Sequence, residues 1–410
     1  MNIFAFQAPF SLLSGRPQLA STVCGTSSSG SLISSFPGSP VVPLRYNQRA
    51  SKDLISFSSP KKFSRTTVSA SASKYAAERA AAVSAVGMTS TLSRKLQENF
   101  DEALVVIKDD ASPVTVADFA VQALIVSRLH EQFPEDNFIA EEFVLDLRKD
   151  MALFRAVCDA TGMDEEALVK IIDLCDFTGA DDSRTWILDP NDGTRGFVKM
   201  RHYCIALGLM EGGVMRVGVL GCPNLPVSGI VADVGSQLGS IFHAEQGQGA
   251  YMIAEKDIDT SSVDPSVVLK GKRCNVSDVT DPSKADFCES FEARHSSHSL
   301  STKIAEILNM NGAPYRLDSQ AKYGCIARGD VSIFLRFPRE GYVEKVYDSA
   351  PAVIVVEEAG GRVTDGRGQP LDFSKGRYMD NDDGIVATNG VMHDTIIEAV
   401  QAAIKQKAAV

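Results

Sequence analysis

The run 186-WILDPNDGTRGF-197 decides how this chain is read. Residues 186–188 are apolar and short, which suits a buried strand, and the strand ends in the turn-rich run Asp189 to Gly193. Two carboxylates, Asp189 and Asp192, stand three residues apart there. A hard cation such as magnesium takes several oxygen ligands, and a loop lets two carboxylates and a backbone carbonyl converge on one. Gly193 and Thr194 then open a segment whose backbone N–H groups can face an anion. Asp-Pro and Asn-Asp-Gly are also ordinary turn pieces, so the motif alone is compatible with a plain turn.

The other acids shift the balance. Glu141 and Glu142 end an expected strand at 138–140. Asp118 lies in the first turn of a helix expected within 112–134, behind the capping residues Ser112 and Thr115. Asp348 opens a helix expected at 350–359. Alone, each has a common structural use, as a solvated edge or a charge at a helix N-terminus. Taken with Asp189 and Asp192, they put carboxylates at the ends of several elements, which suits a multi-metal phosphoryl-transfer site.

Outward from this core the chain divides into three. Residues 1–73 hold one acid, Asp53, among Arg16, Arg45, Arg49, Lys52, Lys61, Lys62, Arg65 and many serines. That composition is expected of an organellar transit peptide, for the mitochondrial matrix or the chloroplast stroma. A disordered tail has similar composition. Residues 74–268 begin with an alanine-rich helix at 74–99, carry a helical insertion at 145–175, and continue as strands at 203–210, 214–220, 229–232 and 239–244. The turn pairs between those strands predict an antiparallel meander. Residues 269–410 alternate: helix 299–309, strand 331–337, helix 350–359, strand 384–388, helix 391–405. The expected fold class is α/β, with an α+β first half and an α/β second half.

The formal net charge of −11 argues against a nucleic-acid or anionic-membrane surface. No apolar run reaches membrane-span length. The 8 cysteines include no pair at CxxC spacing, which argues against a zinc ribbon or thioredoxin motif. No protein partner is readable, and the expected partner is a small molecule.

The acids together form a pattern that resembles the inositol monophosphatase-like superfamily of metal-dependent, lithium-sensitive phosphatases. Its signatures are D-P-x-D-G-T, an upstream E-E pair, an earlier aspartate and a late W-D-x-A element. The resemblance covers residues 75–405. Within the superfamily the chain is most similar to the 3′(2′),5′-bisphosphate nucleotidases, on 295-HSSH-298, 318-DSQAKYG-324 and 334-FLRFP-338. The resemblance implies a layered αβαβα sandwich and hydrolysis of the 3′-phosphate of adenosine 3′,5′-bisphosphate, with its 3′-phosphosulfated counterpart as a second candidate substrate. It implies two or three magnesium ions per site. Glu141, Asp189 and the carbonyl of Asn191 would hold one, and Asp189, Asp192 and Asp348 another. Asp118 and Thr194 would deprotonate the attacking water. Gly193, Thr194, His295, Ser319, Lys322, Arg336 and Asp348 would meet the substrate. The histidine pair 295/298 has no further ligands at zinc-finger spacing.

Three positions depart from the family pattern. Asn191 replaces an apolar residue, Phe143 replaces a polar or small one, and the late element reads 347-YDSA-350 before Pro351. Two alternatives stay open: an inositol or sugar phosphatase of the same chemistry, and a weakly active nucleotide-binding regulatory protein.

Overall fold

The computed structural model describes residues 73–108, 112–179, 183–231, 235–291, 298–338, 341–381 and 383–408. The head expected at 1–73, except Ser73, and His295 lie outside the described residues.

Seven strands form the larger sheet, side by side in chain order: Asn137–Ala140, Arg184–Asp192, Cys204–Glu211, Val214–Pro226, Leu238–Glu245, Gly249–Ala254 and Lys272–Arg273. The first two are parallel and every later pair is antiparallel, so the expected meander forms. The strand expected at 229–232 does not: 229–231 are irregular, and 232 is outside the described residues. Instead the preceding strand runs on to Pro226, further than the apolar pattern suggested. The strand beginning at Arg184 likewise reaches Asp192, with a register break between Asp189 and Asp192. Pro190 has no N–H to give to a ladder, so the break falls where pairing cannot continue.

The helices Ala76–Glu98 and Val116–Gln132 cover one face of this sheet. Ala80, Ala81, Val83, Val86, Ile125 and Leu129 meet Leu207, Val217 and Ile241 there. Three helices, Val144–Leu147, Met151–Thr161 and Glu165–Asp173, make up the insertion and pack on the helix Val116–Gln132.

The opposite face takes the helices Ala350–Glu358 and Ala321–Arg328. Their other side meets a five-stranded sheet ordered Tyr315–Leu317, Phe287–Ser290, Ile333–Arg336, Ile385–Thr388, Arg362–Asp365. The first three strands are parallel and the last two join antiparallel. The helices His298–Ile307 and His393–Ala408 close the far side. Helices, sheet, helices, sheet, helices: this is the five-layered α/β sandwich.

One seat between layers is unusually close. Gly208 and Gly218 are cross-strand partners, and the start of the helix Ala350–Glu358 rests on them. A Cβ on Gly218 would stand 2.3 Å from the Pro351 carbonyl oxygen. Only glycine leaves room for backbone to lie on backbone in this way.

Candidate active site

Of the carboxylates singled out in the sequence, Glu141, Asp189, Asp192 and Asp348 line one cavity of about 480 Å³ with Thr194 and Arg336, whereas Asp118 and Glu142 lie behind its wall.

Asp118 sits in the first turn of its helix in a capping box: Thr115 donates from both N (2.8 Å) and Oγ1 (2.6 Å) to Oδ2. That leaves Oδ1 facing the acid loop, where the Thr194 hydroxyl lies 3.1 Å away. The same hydroxyl is 3.2 Å from the Asn191 carbonyl, so one proton is shared between two acceptors. Burial, opposed by the Thr115 hydrogen bond and helped by the charge on Glu141, pushes Asp118 up to about 6.

Glu141 and Glu142 follow the strand Asn137–Ala140 directly. Lys108 bridges them, with Nζ 2.9 Å from Glu141 Oε1 and 2.8 Å from Glu142 Oε1. Burial disfavours the ammonium, but the two carboxylates outweigh it and hold Lys108 charged. Gln122 fixes the Glu142 backbone by accepting from its N–H and donating to its carbonyl, 3.0 and 2.8 Å. The second carboxylate oxygen of Glu142 has no partner among the described residues. Nothing in the sequence signalled Lys108, which meets the acid pair across 33 and 34 residues of chain.

Asp189 is buried, and burial followed by repulsion from Glu141, Asp192 and Asp348 pushes it well above the usual carboxylate range. Burial also raises Asp192, to about 6, with Lys322 opposing and Asp348 adding. Asp192 Oδ2 accepts from the Gln320 N–H at 2.5 Å. Gly193 follows at φ 88°, a left-handed conformation that lets the chain turn into the short helix Thr194–Val198. Asn191 is fully buried, and both of its side-chain polar atoms lack partners among the described residues.

Asp348 ends a 3-10 turn, Val346–Asp348. Tyr342 donates its hydroxyl to Asp348 Oδ2 at 2.8 Å, and Arg336 Nη2 approaches at 3.5 Å. Arg336 is itself held by Glu344 through two bonds of 2.9 Å. Its charge is therefore engaged beside Asp348. Ser319 sits at φ 71° beside Gly193. Lys322 is buried beneath this turn, donating to the carbonyls of Leu317 (3.2 Å) and Ser319 (2.6 Å). Gln320 donates to the Tyr347 carbonyl at 2.9 Å, so the 318–320 turn links the acid loop to the Asp348 turn. Tyr342, Glu344 and Gln320 were not found by sequence reasoning, although Tyr342 and Glu344 lie only six and four residues before Asp348.

Among the described residues, no three Asp, Glu, His or Cys side chains are drawn together as a metal cage. Each acid has its own protein partner instead. The donor set still fits magnesium: all oxygen, gathered on one cavity, and mutually repelling around the buried Asp189.

The comparisons bear on family and fold. The model of the inositol monophosphatase family matches residues 71–405. A 3′(2′),5′-bisphosphate nucleotidase of Oryza sativa is 39% identical over 359 residues, covering 82% of this chain and 97% of the relative. That of Emericella nidulans is 39% identical over 353 residues, covering 81% and 99%. 3′(2′),5′-Bisphosphate nucleotidase 1 of Arabidopsis thaliana is 39% identical over 355 residues, covering 81% and 98%. Among solved structures, the extragenic suppressor protein SuhB of Bartonella henselae superposes with a TM-score of 0.53 at 19% identity, covering 78% of this chain and 97% of that one. The IMPase of Thermotoga maritima gives 0.52 at 21%, covering 79% and 96%. The two structures speak for the fold, and the family match and the three sequences speak for descent: the chain belongs to the inositol monophosphatase family.

Proposed function

We propose that this protein is a magnesium-dependent phosphatase that removes the 3′-phosphate of adenosine 3′,5′-bisphosphate, giving AMP and phosphate. The observation that carries the reading is the contact between Thr194 and Asp118, set beside the acid loop and its buried Asp189. A hydroxyl poised on a buried carboxylate is the pairing that a proton relay from water needs. The bisphosphate nucleotidases at 39% identity support the substrate.

In this reading Glu141, Asp189 and the Asn191 carbonyl hold one magnesium, and Asp189, Asp192 and Asp348 a second; a third is compatible with the family. Magnesium bound there would neutralise phosphate charge and polarise the scissile ester. The chain's own residues move the proton. Thr194 Oγ1 accepts it from the attacking water and passes its own to Asp118 Oδ1. The backbone N–H groups after Gly193 hold the scissile phosphate. Ser319, Lys322, Arg336 and His295 serve the rest of the nucleotide. Lys322 sets its ammonium under the 318–320 turn, with Asp192 opposing the effect of burial on its charge, and a second phosphate would gain from it there.

Residues 1–73 act as a transit peptide to an organelle, mitochondrial matrix or chloroplast stroma. Their basic, serine-rich composition supports this, as does a family match that starts at residue 71. No helix among the described residues is long and apolar enough to cross a membrane.

The deciding experiment compares phosphate release from adenosine 3′,5′-bisphosphate, inositol 1-phosphate and fructose 1,6-bisphosphate with magnesium. The bisphosphate nucleotide should have the highest kcat/KM. Equal or faster release from either other substrate overturns the assignment. No release from any of them, with the nucleotide still bound in calorimetry, points to a regulatory binder.

A further inference from the structure

Arg377 is 3% exposed and spans the two sides of the site. On one side its backbone belongs to a short pairing with the segment before Asp348. The Val346 N–H donates to the Arg377 carbonyl at 2.9 Å, and the Met379 N–H donates to that of Glu344 at 2.9 Å. Lys345 and Tyr378 form an antiparallel bridge between these bonds. On the other side, Nη1 donates to the Ala140 carbonyl at 2.6 Å and Nη2 to the Cys175 carbonyl at 2.8 Å. The guanidinium carbon also lies 4.7 Å from the centre of the Phe143 ring. Ala140 immediately precedes Glu141–Glu142, and Phe143 immediately follows them. One side chain therefore grips the acid pair at both ends.

A buried guanidinium is costly unless its donors are met. Among the described residues, no acid forms an ion pair with Arg377. Two carbonyl dipoles and the face of an aromatic ring meet its charge instead, while Nε has no hydrogen-bond partner among the described residues. The planar fork fixes two carbonyls from two separate nitrogens at a set spacing and angle, a geometry that a lysine's single ammonium does not reproduce. Phe143, a departure from the family pattern, completes the grip.

We propose that Arg377 is a positioning residue: it ties the end of the strand Asn137–Ala140 to the segment that carries Asp348, and so sets the spacing between Glu141 and Asp348. This rests on the reading that these carboxylates hold magnesium.

The test uses Mn²⁺ as the probe, with the full chain, following free Mn²⁺ by electron paramagnetic resonance. Arg377→Met should weaken Mn²⁺ binding about 10-fold. It should lower kcat while changing KM for the nucleotide little. Arg377→Lys should recover part of the loss. Phe143→Leu should keep the fold and weaken binding about 3-fold, and it serves if Arg377→Met does not fold. Arg328→Met is the control. Arg328 is an arginine bound to Asp330 and to the Pro226 carbonyl outside this cavity, and its loss should lower the melting temperature with Mn²⁺ affinity unchanged. Wild-type affinity in Arg377→Met and Phe143→Leu, or equal weakening in Arg328→Met, overturns the inference. No Mn²⁺ binding by the wild type overturns the metal reading itself, which is a different result.

Discussion

Replacing Lys108 with methionine should destabilise the protein by about 3 kcal/mol. The ammonium lies 2.9 and 2.8 Å from two carboxylates, and its side chain is only 13% exposed. At such distances each pair is worth about 6 kcal/mol at an effective dielectric constant of about 20. Desolvation of the ammonium and repulsion between the two glutamates consume much of that gain. What remains on deletion is the cost of stranding a buried charge, about 3–5 kcal/mol. The lower end applies because Glu141 keeps 23% of its side chain in water, while Glu142 has none. A loss of 3 kcal/mol is about a 150-fold change in the folding equilibrium. The assay is urea unfolding followed by circular dichroism, with a chelator present so that no divalent ion replaces the ammonium. A second substitution, Glu142→Gln, removes the stranded charge and should restore about half of the loss in the Lys108→Met background. A Lys108→Met protein within about 0.5 kcal/mol of wild type, or strictly additive single and double variants, would refute the reasoning.

Asp189→Asn should abolish phosphate release yet raise the melting temperature in chelator, because it removes the charge that burial and three neighbouring carboxylates disfavour; an unchanged turnover at saturating magnesium argues against the site. Arg336→Ala should lose activity alike on adenosine 3′,5′-bisphosphate and 3′-AMP, since Arg336 stands between Glu344 and Asp348, whereas Lys322→Ala should lose about 10-fold more on the bisphosphate. Identical losses in both variants on both substrates would show that Lys322 does not read the second phosphate. Acid should destabilise the fold through His393, which is fully buried between Thr364 and Thr388 at 2.9 and 3.0 Å. Burial, helped by Arg362 and opposed by Asp394, lowers it to about 4. The unfolded chain therefore takes up the proton first, and up to about 3 kcal/mol is present above pH ~6.5 and lost as pH falls toward ~4. His393→Gln should flatten that slope in urea unfolding between those values, and an unaltered slope would count against it.

The sequence made the meander and the acid loop readable because both rest on local patterns. The Gly212–Gly213 turn pair sets off the long apolar run of Cys204–Glu211, and the Asp-Pro-x-Asp-Gly-Thr run marks the turn after Leu188. The strands Phe287–Ser290, Tyr315–Leu317 and Arg362–Asp365, and the helix Ala321–Arg328, were not anticipated. They are short, and the strand Phe287–Ser290 is buried throughout, so no alternation betrays it. The extra length of Val214–Pro226 was hidden for a related reason, since its end is held by cross-strand pairing between Pro226 and Leu238 rather than by propensity. In the site, the carboxylates could be read one by one. Their partners could not. Lys108 meets Glu141 across 33 residues and Arg377 meets Ala140 across 237, separations at which no spacing rule applies.

The seat of Pro351 on Gly208 and Gly218 limits how this protein can vary. The height of Asp348 above the sheet is set three residues downstream, by two missing carbon atoms on neighbouring strands. A methyl group at Gly218 would act as a shim, lifting the start of the helix and, with it, one wall of the cleft. Substitution there has no gentle first step, because the smallest possible side chain already collides with main chain. The sheet floor should therefore be among the least tolerant surfaces in a mutational scan, although it contributes no functional group. Tuning of the chemistry is left to the rim, where Tyr342 and Tyr378 stand partly in solvent.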